Sequence, residues 1–346
     1  MIREAIGKLV AGEDELTGDQ AHQVALEILS GEATPCQIAS FLTALRLRGE
    51  RVEHVVAFVR ALRDRAARIA APPGIVLDTC GTGGDDIGTF NVSTTAAFLA
   101  AGTGVRVAKH GNRAMSSRCG SADVLAALGV KIDCSHALAE RCLREIGICF
   151  LFAPSYHSAM KHAVQPRREI GHRTIFNMAG PLANPAGATH QLIGVYDLAL
   201  CRMFAEVLRE LGSQRALVVH GSDGLDEIST AEVTELTELR NGEIHSWSAT
   251  PSDFGLDAPA NLEDLLAAAD AHGNAEILTA ILKGEESGPK AQIALVNAGA
   301  AIYVAGKAET IREGIEIARR AIASGAAHAK MEELRQMTNC ETSGEP

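Results

Sequence analysis

The chain runs to 346 residues, 47% of them apolar and 22% charged, with a formal net charge of −11. That length exceeds what a single core usually serves, so two packed units are expected, and the composition excludes a disordered chain. The negative balance repels nucleic acid at long range, so no nucleic-acid partner is expected.

Residues 1 to about 70 read as helices only. The N-terminal MIREAIGKLVAGEDE is charged and amphipathic, and no apolar run reaches the length of a membrane span. A soluble, cytoplasmic protein without a membrane partner is therefore expected. Val24, Ile28 and Leu29 recur at helical spacing after Thr17, and Thr34-Pro35 supplies an N-cap followed by proline at the first helical position. After Arg51, apolar residues at 52, 55, 56, 59, 62 and 69 mark a further helix with basic residues toward its end. Ala71-Pro72-Pro73-Gly74 then sets a domain boundary.

From there short β runs alternate with helices. Strands are predicted at 74–80, 105–110, 148–154, 191–197 and 215–221, and helices at 91–102, 121–129 and 198–212. Residues 234–250 read as a hairpin turning at Asn241-Gly242, residues 261–337 as helical, and the final NCETSGEP as a frayed tail. Such alternation predicts an α/β fold with a mostly parallel central sheet, covered on both faces, whose ligands bind at the C-terminal ends of strands. The segment from about 157 to 187 interrupts the alternation and reads as crossing back to the helical unit. The expected organisation is a small N-terminal helical domain of residues 1–71 with that returning segment, and a larger α/β domain of residues 74–156 and 188–346. The eight cysteines include no CxxC pair, which points to reduced thiols and away from structural zinc.

Five loops carry candidate chemistry. The first strand ends in Gly81-Thr82-Gly83-Gly84-Asp85, where glycines let backbone N–H groups approach an anion. This is neither a P-loop nor a Rossmann turn. Asp85 would repel bare phosphate but suits sugar hydroxyls or metal-bound water; a tight turn with a capping aspartate is the alternative. Asn91, Ser93 and Thr94 open the next helix, either as caps or as phosphate ligands at its positive end. Lys109-His110-Gly111-Asn112-Arg113 closes the second strand, with Lys109 as a point charge for phosphate, or else as exposed loop residues. Asp226 and Glu227 follow a buried strand as adjacent carboxylates, which suits magnesium, although an ordinary solvated acidic loop would look the same. Arg167, on a helix, could hold a carboxylate in bidentate fashion, whereas Arg168 and Glu169 read as a surface pair and His162 as a packing residue.

Taken in order, GTGGD, NVST, KHGNRAMSS, SADVL, RTIFN, GPLANP, QLIGVYD and VVHGSDGLDE resemble the nucleoside phosphorylase/phosphoribosyltransferase family in its anthranilate phosphoribosyltransferase branch. The resemblance implies an active site in the hinge cleft between the two domains, usually in a homodimer joined through the helical domain. It implies 5-phosphoribosyl 1-diphosphate and anthranilate as substrates, and Mg2+, expected at two ions per monomer. By position, Gly81, Thr82, Gly83, Gly84 and Asp85 would hold diphosphate and ribose, joined by Thr89, Asn91, Ser93, Thr94, Lys109 and Ser121. Ser93, Asp226 and Glu227 would hold the metal. His110, Asn112 and Arg167 would line the acceptor site, Gly111 would also touch substrate, and Lys109 and Arg167 would be the catalytic pair. Two departures stand out: Ser158 where the family usually has proline, and Thr230-Ala231-Glu232 where it usually has a glycine-rich turn.

Competing readings are a pyrimidine nucleoside phosphorylase, a silent relative that binds nucleic acid, and a non-enzymatic scaffold. Asp226-Glu227 speaks against the first, the net charge against the second, and the polar loop set against the third.

Overall fold

Threonine caps shape the first helices of this computed structural model, which describes residues 1–12, 15–84, 87–114, 119–256 and 259–340. After α1 (Ile2–Ala11), both α2 (Gly18–Ser30) and α3 (Pro35–Arg48) open with a capping box. The hydroxyls of Thr17 and Thr34 accept from the amides of Gln20 and Gln37, and each glutamine reaches back to the threonine N–H. Two otherwise unpaired donors are satisfied at each start. The fourth helix, α4 (Val52–Arg65), buries Val55, Phe58, Val59 and Leu62 against them.

The chain then alternates through β1 (Leu77–Gly81), α5 (Val92–Gly102), β2 (Val107–Gly111), α6 (Ser121–Ala127), α7 (His136–Glu145) and β3 (Ile148–Phe152). Short helices α8 (Ala153–Tyr156), α9 (Lys161–Ile170) and α10 (Ile175–Ala179) intervene before β4 (His190–Gly194), α11 (Ala199–Glu210) and β5 (Arg215–Gly221). The hairpin β6 (Thr234–Arg240) and β7 (Glu243–Ala249) turns at Asn241 and Gly242, whose φ values of 54° and 80° are those of a type I′ turn. Four helices finish the chain: α12 (Ala271–Lys283), α13 (Pro289–Val304), α14 (Ile311–Ala323) and α15 (Ala326–Asn339). The helix α7 is absent from the elements predicted from sequence.

The sheet has seven strands in the order β3-β2-β1-β4-β5-β6-β7, parallel from β3 to β5 and antiparallel beyond. Its period of two divides the core. Leu192, Leu217, Val219 and Leu236 join α5 and the C-terminal helices on one face. Ile193, Val218 and Leu239 join α11 and the N-terminal bundle on the other. The small helical domain and the larger, mostly parallel α/β domain are thus those the alternation predicted, and the bundle's core runs on into one sheet face.

Helices α9 and α10 pack on the bundle rather than on the sheet. Ile175, Phe176, Met178, Ala179, Leu182 and Ala183 share a core with Val55, Phe58 and Leu62. Phe176 meets Phe58 edge-on at 5.2 Å, and Arg63 Nη2 donates to the Leu182 carbonyl at 2.7 Å. The expected Arg168–Glu169 pair does not form: Glu169 accepts from Gln165 at 2.8 Å, one helical turn back, and Arg168 is exposed. Among the described residues no helix is long and apolar enough to cross a membrane.

Candidate active site

Strand β1 lies between β2 and β4, so the connections leave it in opposite directions and open a crevice at its C-terminal end. The glycine loop fills that crevice. Thr82 N donates to Gly194 O at 2.9 Å, and Tyr196 N donates to Thr82 Oγ1 at 3.1 Å, which fastens the loop to the end of β4. Gly83 and Gly84 hold φ values of 64° and 74°, a left-handed turn that aims the Gly83 amide at Asp226 Oδ2, 2.8 Å away. Gly81, Thr82, Gly83 and Gly84 are therefore brought together with Asp226. Asp85, with Ser116 and Ser117 of the later motif, lies outside the described residues.

Helix α5 points its N-terminus at the same mouth. Its capping residue is Asn91, but the side chain caps nothing; Asn91 Nδ2 donates instead to Cys119 O at 3.0 Å. Asn91 Oδ1 and Thr94 Oγ1 are buried without a partner. Ser93 N donates to Glu227 Oε1 at 3.1 Å, and Ser93 Oγ accepts from Lys109 Nζ at 3.3 Å. Lys109 is buried and also donates to the Thr79 carbonyl, which overturns the exposed-loop alternative. Burial lowers its pKa, while Asp78, Glu227 and Asp226 pull the other way by keeping negative charge near the ammonium. Thr89 sits at the rim in an isolated antiparallel bridge with Leu266.

Asp78 escaped the sequence reading. It is fully buried in β1, where Oδ1 accepts from His110 N at 3.1 Å and Oδ2 from Asn184 Nδ2 at 2.7 Å. Burial pushes its carboxyl up to about 6, against the pull of Asn184 and Lys109. Asn184 also donates to Ala108 O at 2.8 Å, so the GPLANP turn is pinned to both β1 and β2.

His110, expected on the acceptor side, lies next to Asp78, since its amide donates to that carboxylate. The rings of His110 and His157 lie 5.2 Å apart, both buried. Burial, the neighbouring His157 and Lys109 push His110 down to about 3. Burial pushes His157 to about 4; the Ala183 and Leu62 carbonyls oppose the shift, although neither ring nitrogen completes a well-aligned hydrogen bond. Both rings are neutral at pH 7, and His110 Nε2 is left unpaired. Ser121 Oγ donates to Asn112 O at 3.3 Å, joining Gly111-Asn112 to the start of α6. Asp123, also missed, fastens this loop by accepting from the Ala114 and Gly120 amides and pairing with Arg113 at 2.8 Å.

Arg167 rests on the α10 side of the bundle. Nη2 donates to Asn177 Oδ1 at 3.3 Å, its guanidinium carbon lies 5.4 Å from the Phe176 ring centre, and Nε is buried without a partner. Arg173, which received no role from sequence, donates to the Gly84 carbonyl and stacks 3.9 Å from the Tyr196 ring centre. It joins the bundle side to the glycine loop. Ser158 opens a 3₁₀ turn, Ser158–Met160, directly after His157. The Thr230–Glu232 turn folds on Ser229 Oγ, which accepts from the Ala231 and Glu232 amides at 3.0 Å.

As a metal site the donor set is oxygen only: Asp226 at the glycine loop, and Glu227 with the Ser93 hydroxyl at α5. The described residues contain no cluster of three or more His, Cys, Asp or Glu that could hold an ion. A pair of carboxylates completed by water and substrate oxygens suits magnesium, which keeps much of its hydration.

Residues 3–66 match the family model described as glycosyl transferase family, helical bundle domain, and residues 73–328 match the glycosyl transferase family, a/b domain. Anthranilate phosphoribosyltransferase of Moorella thermoacetica is 52% identical over 334 residues, covering 96% of this chain and 97% of the relative. The chain belongs to the anthranilate phosphoribosyltransferase family. That of Rubrobacter xylanophilus is 51% identical, covering 96% of each chain. The crystal structure of the Thermus thermophilus enzyme superposes with a TM-score of 0.91 at 41% identity, covering 96% of this chain and 99% of that one. The Saccharomyces cerevisiae enzyme, solved in complex with PRPP and Mg, gives 0.90 at 28% identity, covering 98% of each.

Proposed function

We infer that this chain transfers the phosphoribosyl group of 5-phosphoribosyl 1-diphosphate to the amine of anthranilate, giving N-(5-phosphoribosyl)anthranilate and diphosphate in tryptophan biosynthesis. One observation in the site carries the reading. The polar atoms Asn91 Oδ1, Thr94 Oγ1, His110 Nε2 and Arg167 Nε are buried without partners. Buried polar atoms in native proteins are nearly always paired, so a set like this is built for a ligand.

Cleaving the C1–O bond builds positive charge on the ribose and negative charge on the leaving diphosphate. Lys109, held by Thr79 and Ser93, presents a fixed ammonium to the leaving group. The Gly81–Gly84 loop, with Asp85, takes the diphosphate and ribose, and Thr89, Asn91, Thr94 and Ser121 complete the pocket. Asp226, Glu227 and Ser93 would hold Mg2+, at two ions per monomer; when bound it neutralises charge on the diphosphate. On the acceptor side, Arg167 faces the anthranilate carboxylate, and His110, Gly111 and Asn112 line the ring. The aromatic amine keeps its lone pair at neutral pH, so positioning rather than a strong base supplies much of the rate. The neutral rings of His110 and His157 suit an uncharged nucleophile.

Residues 157–187 belong functionally to the helical domain, a reading supported by the shared core of α10 and α4. The protein acts as a cytoplasmic homodimer joined through that domain. None of the eight cysteines is in a disulfide, which fits a reducing compartment, and the bundle exposes apolar side chains.

The test follows anthranilate fluorescence with phosphoribosyl diphosphate, with and without magnesium. Loss of anthranilate that requires both is expected. No turnover from folded protein would move the assignment to a phosphorylase.

A further inference from the structure

The carboxylate pair is gripped from behind by a residue of another layer. Asn297, on α13, is fully buried. Its Oδ1 accepts from Ile228 N at 2.9 Å, and its Nδ2 donates to Ile228 O at 3.1 Å and to Ile293 O at 3.0 Å. One side chain thus pairs both backbone groups of the residue that follows Glu227, as an adjacent β-strand would. The front of the loop is seated as closely. A Cβ on Gly194 would fall 1.5 Å from Asp226 O, and one on Gly81 would fall 2.4 Å from Asp226 Oδ2. Asp226 therefore rests on bare backbone on one side, while the loop is clamped by an amide on the other.

We propose that Asn297 is a positioning residue for the metal pair, setting the height of Asp226 and Glu227 over the glycine loop and α5. This rests on the magnesium reading above. Asn297 touches neither substrate nor metal. It removes the freedom of the Ile228 peptide to rotate, and with it the freedom of the Glu227 carboxylate to leave the Ser93 amide. A buried asparagine in a purely structural role would support folding without affecting metal-dependent binding.

Calorimetric titration of the full-length protein with inorganic diphosphate, with and without Mg2+, separates these roles. In the wild type Mg2+ tightens diphosphate binding. In Asn297→Leu, about tenfold of that gain is lost, as for other residues that orient metal ligands, while metal-free affinity is unchanged. Leu295→Ala, a buried truncation on the same helix, lowers stability yet keeps the gain. An intact gain in Asn297→Leu, or an equal loss in Leu295→Ala, overturns the proposal. Should Asn297→Leu not fold, Asn297→Ala, which leaves room for water at Ile228, is read by the same criteria. Absence of any gain in the wild type would instead remove the metal assignment itself, and the positioning role with it.

Discussion

Arg167 brings its charge against the Phe176 ring, with the neutral amide of Asn177 as its hydrogen-bond acceptor, and burial lowers its pKa. A carboxylate ligand would complete its fork of donors. Arg167→Ala is expected to raise the anthranilate KM by about 10- to 100-fold, the worth of a charged hydrogen bond, with a smaller change in kcat. Lysine should not restore it, because a point charge cannot reproduce the planar fork. An unchanged KM would remove Arg167 from the acceptor site. The two neutral histidines make a prediction about acid. His110 and His157 fall from the ordinary 6.5 to about 3 and about 4, so below pH 6.5 the unfolded chain takes up protons that the fold refuses. Their contribution to stability is therefore lost as pH falls from 6.5, toward 4 for His157 and toward 3 for His110. Asp78 acts in the opposite sense, since a carboxyl raised to about 6 favours the fold as pH falls from 6 toward 3.8. Urea unfolding at pH 7 and pH 5 should show a smaller loss of stability in His157→Phe than in the wild type; equal losses would mean that His157 keeps its proton in the fold.

At the scale of elements, what was legible in the sequence was local. Strand β2 and its loop declare themselves because Lys109, His110, Gly111 and Asn112 are consecutive, and the β6–β7 hairpin because Asn241-Gly242 fits one kind of turn. Helix α7 has local signals of its own that the strand–helix alternation does not include: Ser135 Oγ accepts from the Leu138 amide, and Leu138, Ala139, Cys142 and Leu143 form its buried stripe. Other parts of the site could not be read locally. A single Asp78 in an apolar strand looks solvent-facing until Asn184, 106 residues away, is brought to it. The Gly83–Asp226 bond spans 143 residues, and Asn297 meets Ile228 across 69. Arg173 lay inside a recognised motif, yet its stacking on Tyr196 depends on how α10 and β4 meet. Sequence patterns expose ligand groups that cluster along the chain; they hide the groups that hold them, because those pairings form only once distant segments pack.

On the whole molecule, the apolar side chains that the bundle side leaves in solvent include Val10 at 68% exposure, Leu47 at 82% and Val164 at 54%. They lie on α1, α3 and α9, where a second copy could cover them. The chain of 36.4 kDa should sediment at twice that mass, and Leu47→Asp should shift it toward the monomer. A monomeric wild type would discard the pairing. The path of the chain carries a different consequence. It passes from bundle to sheet after α4, returns after β3, and leaves again after α10. A graft of the first 66 residues from a relative would deprive Phe176 of its own Phe58 and the Leu182 carbonyl of its own Arg63. The bundle is therefore not a cassette: a single crossover after α4 cannot transplant it whole, because α9 and α10, encoded some hundred residues further on, complete its core.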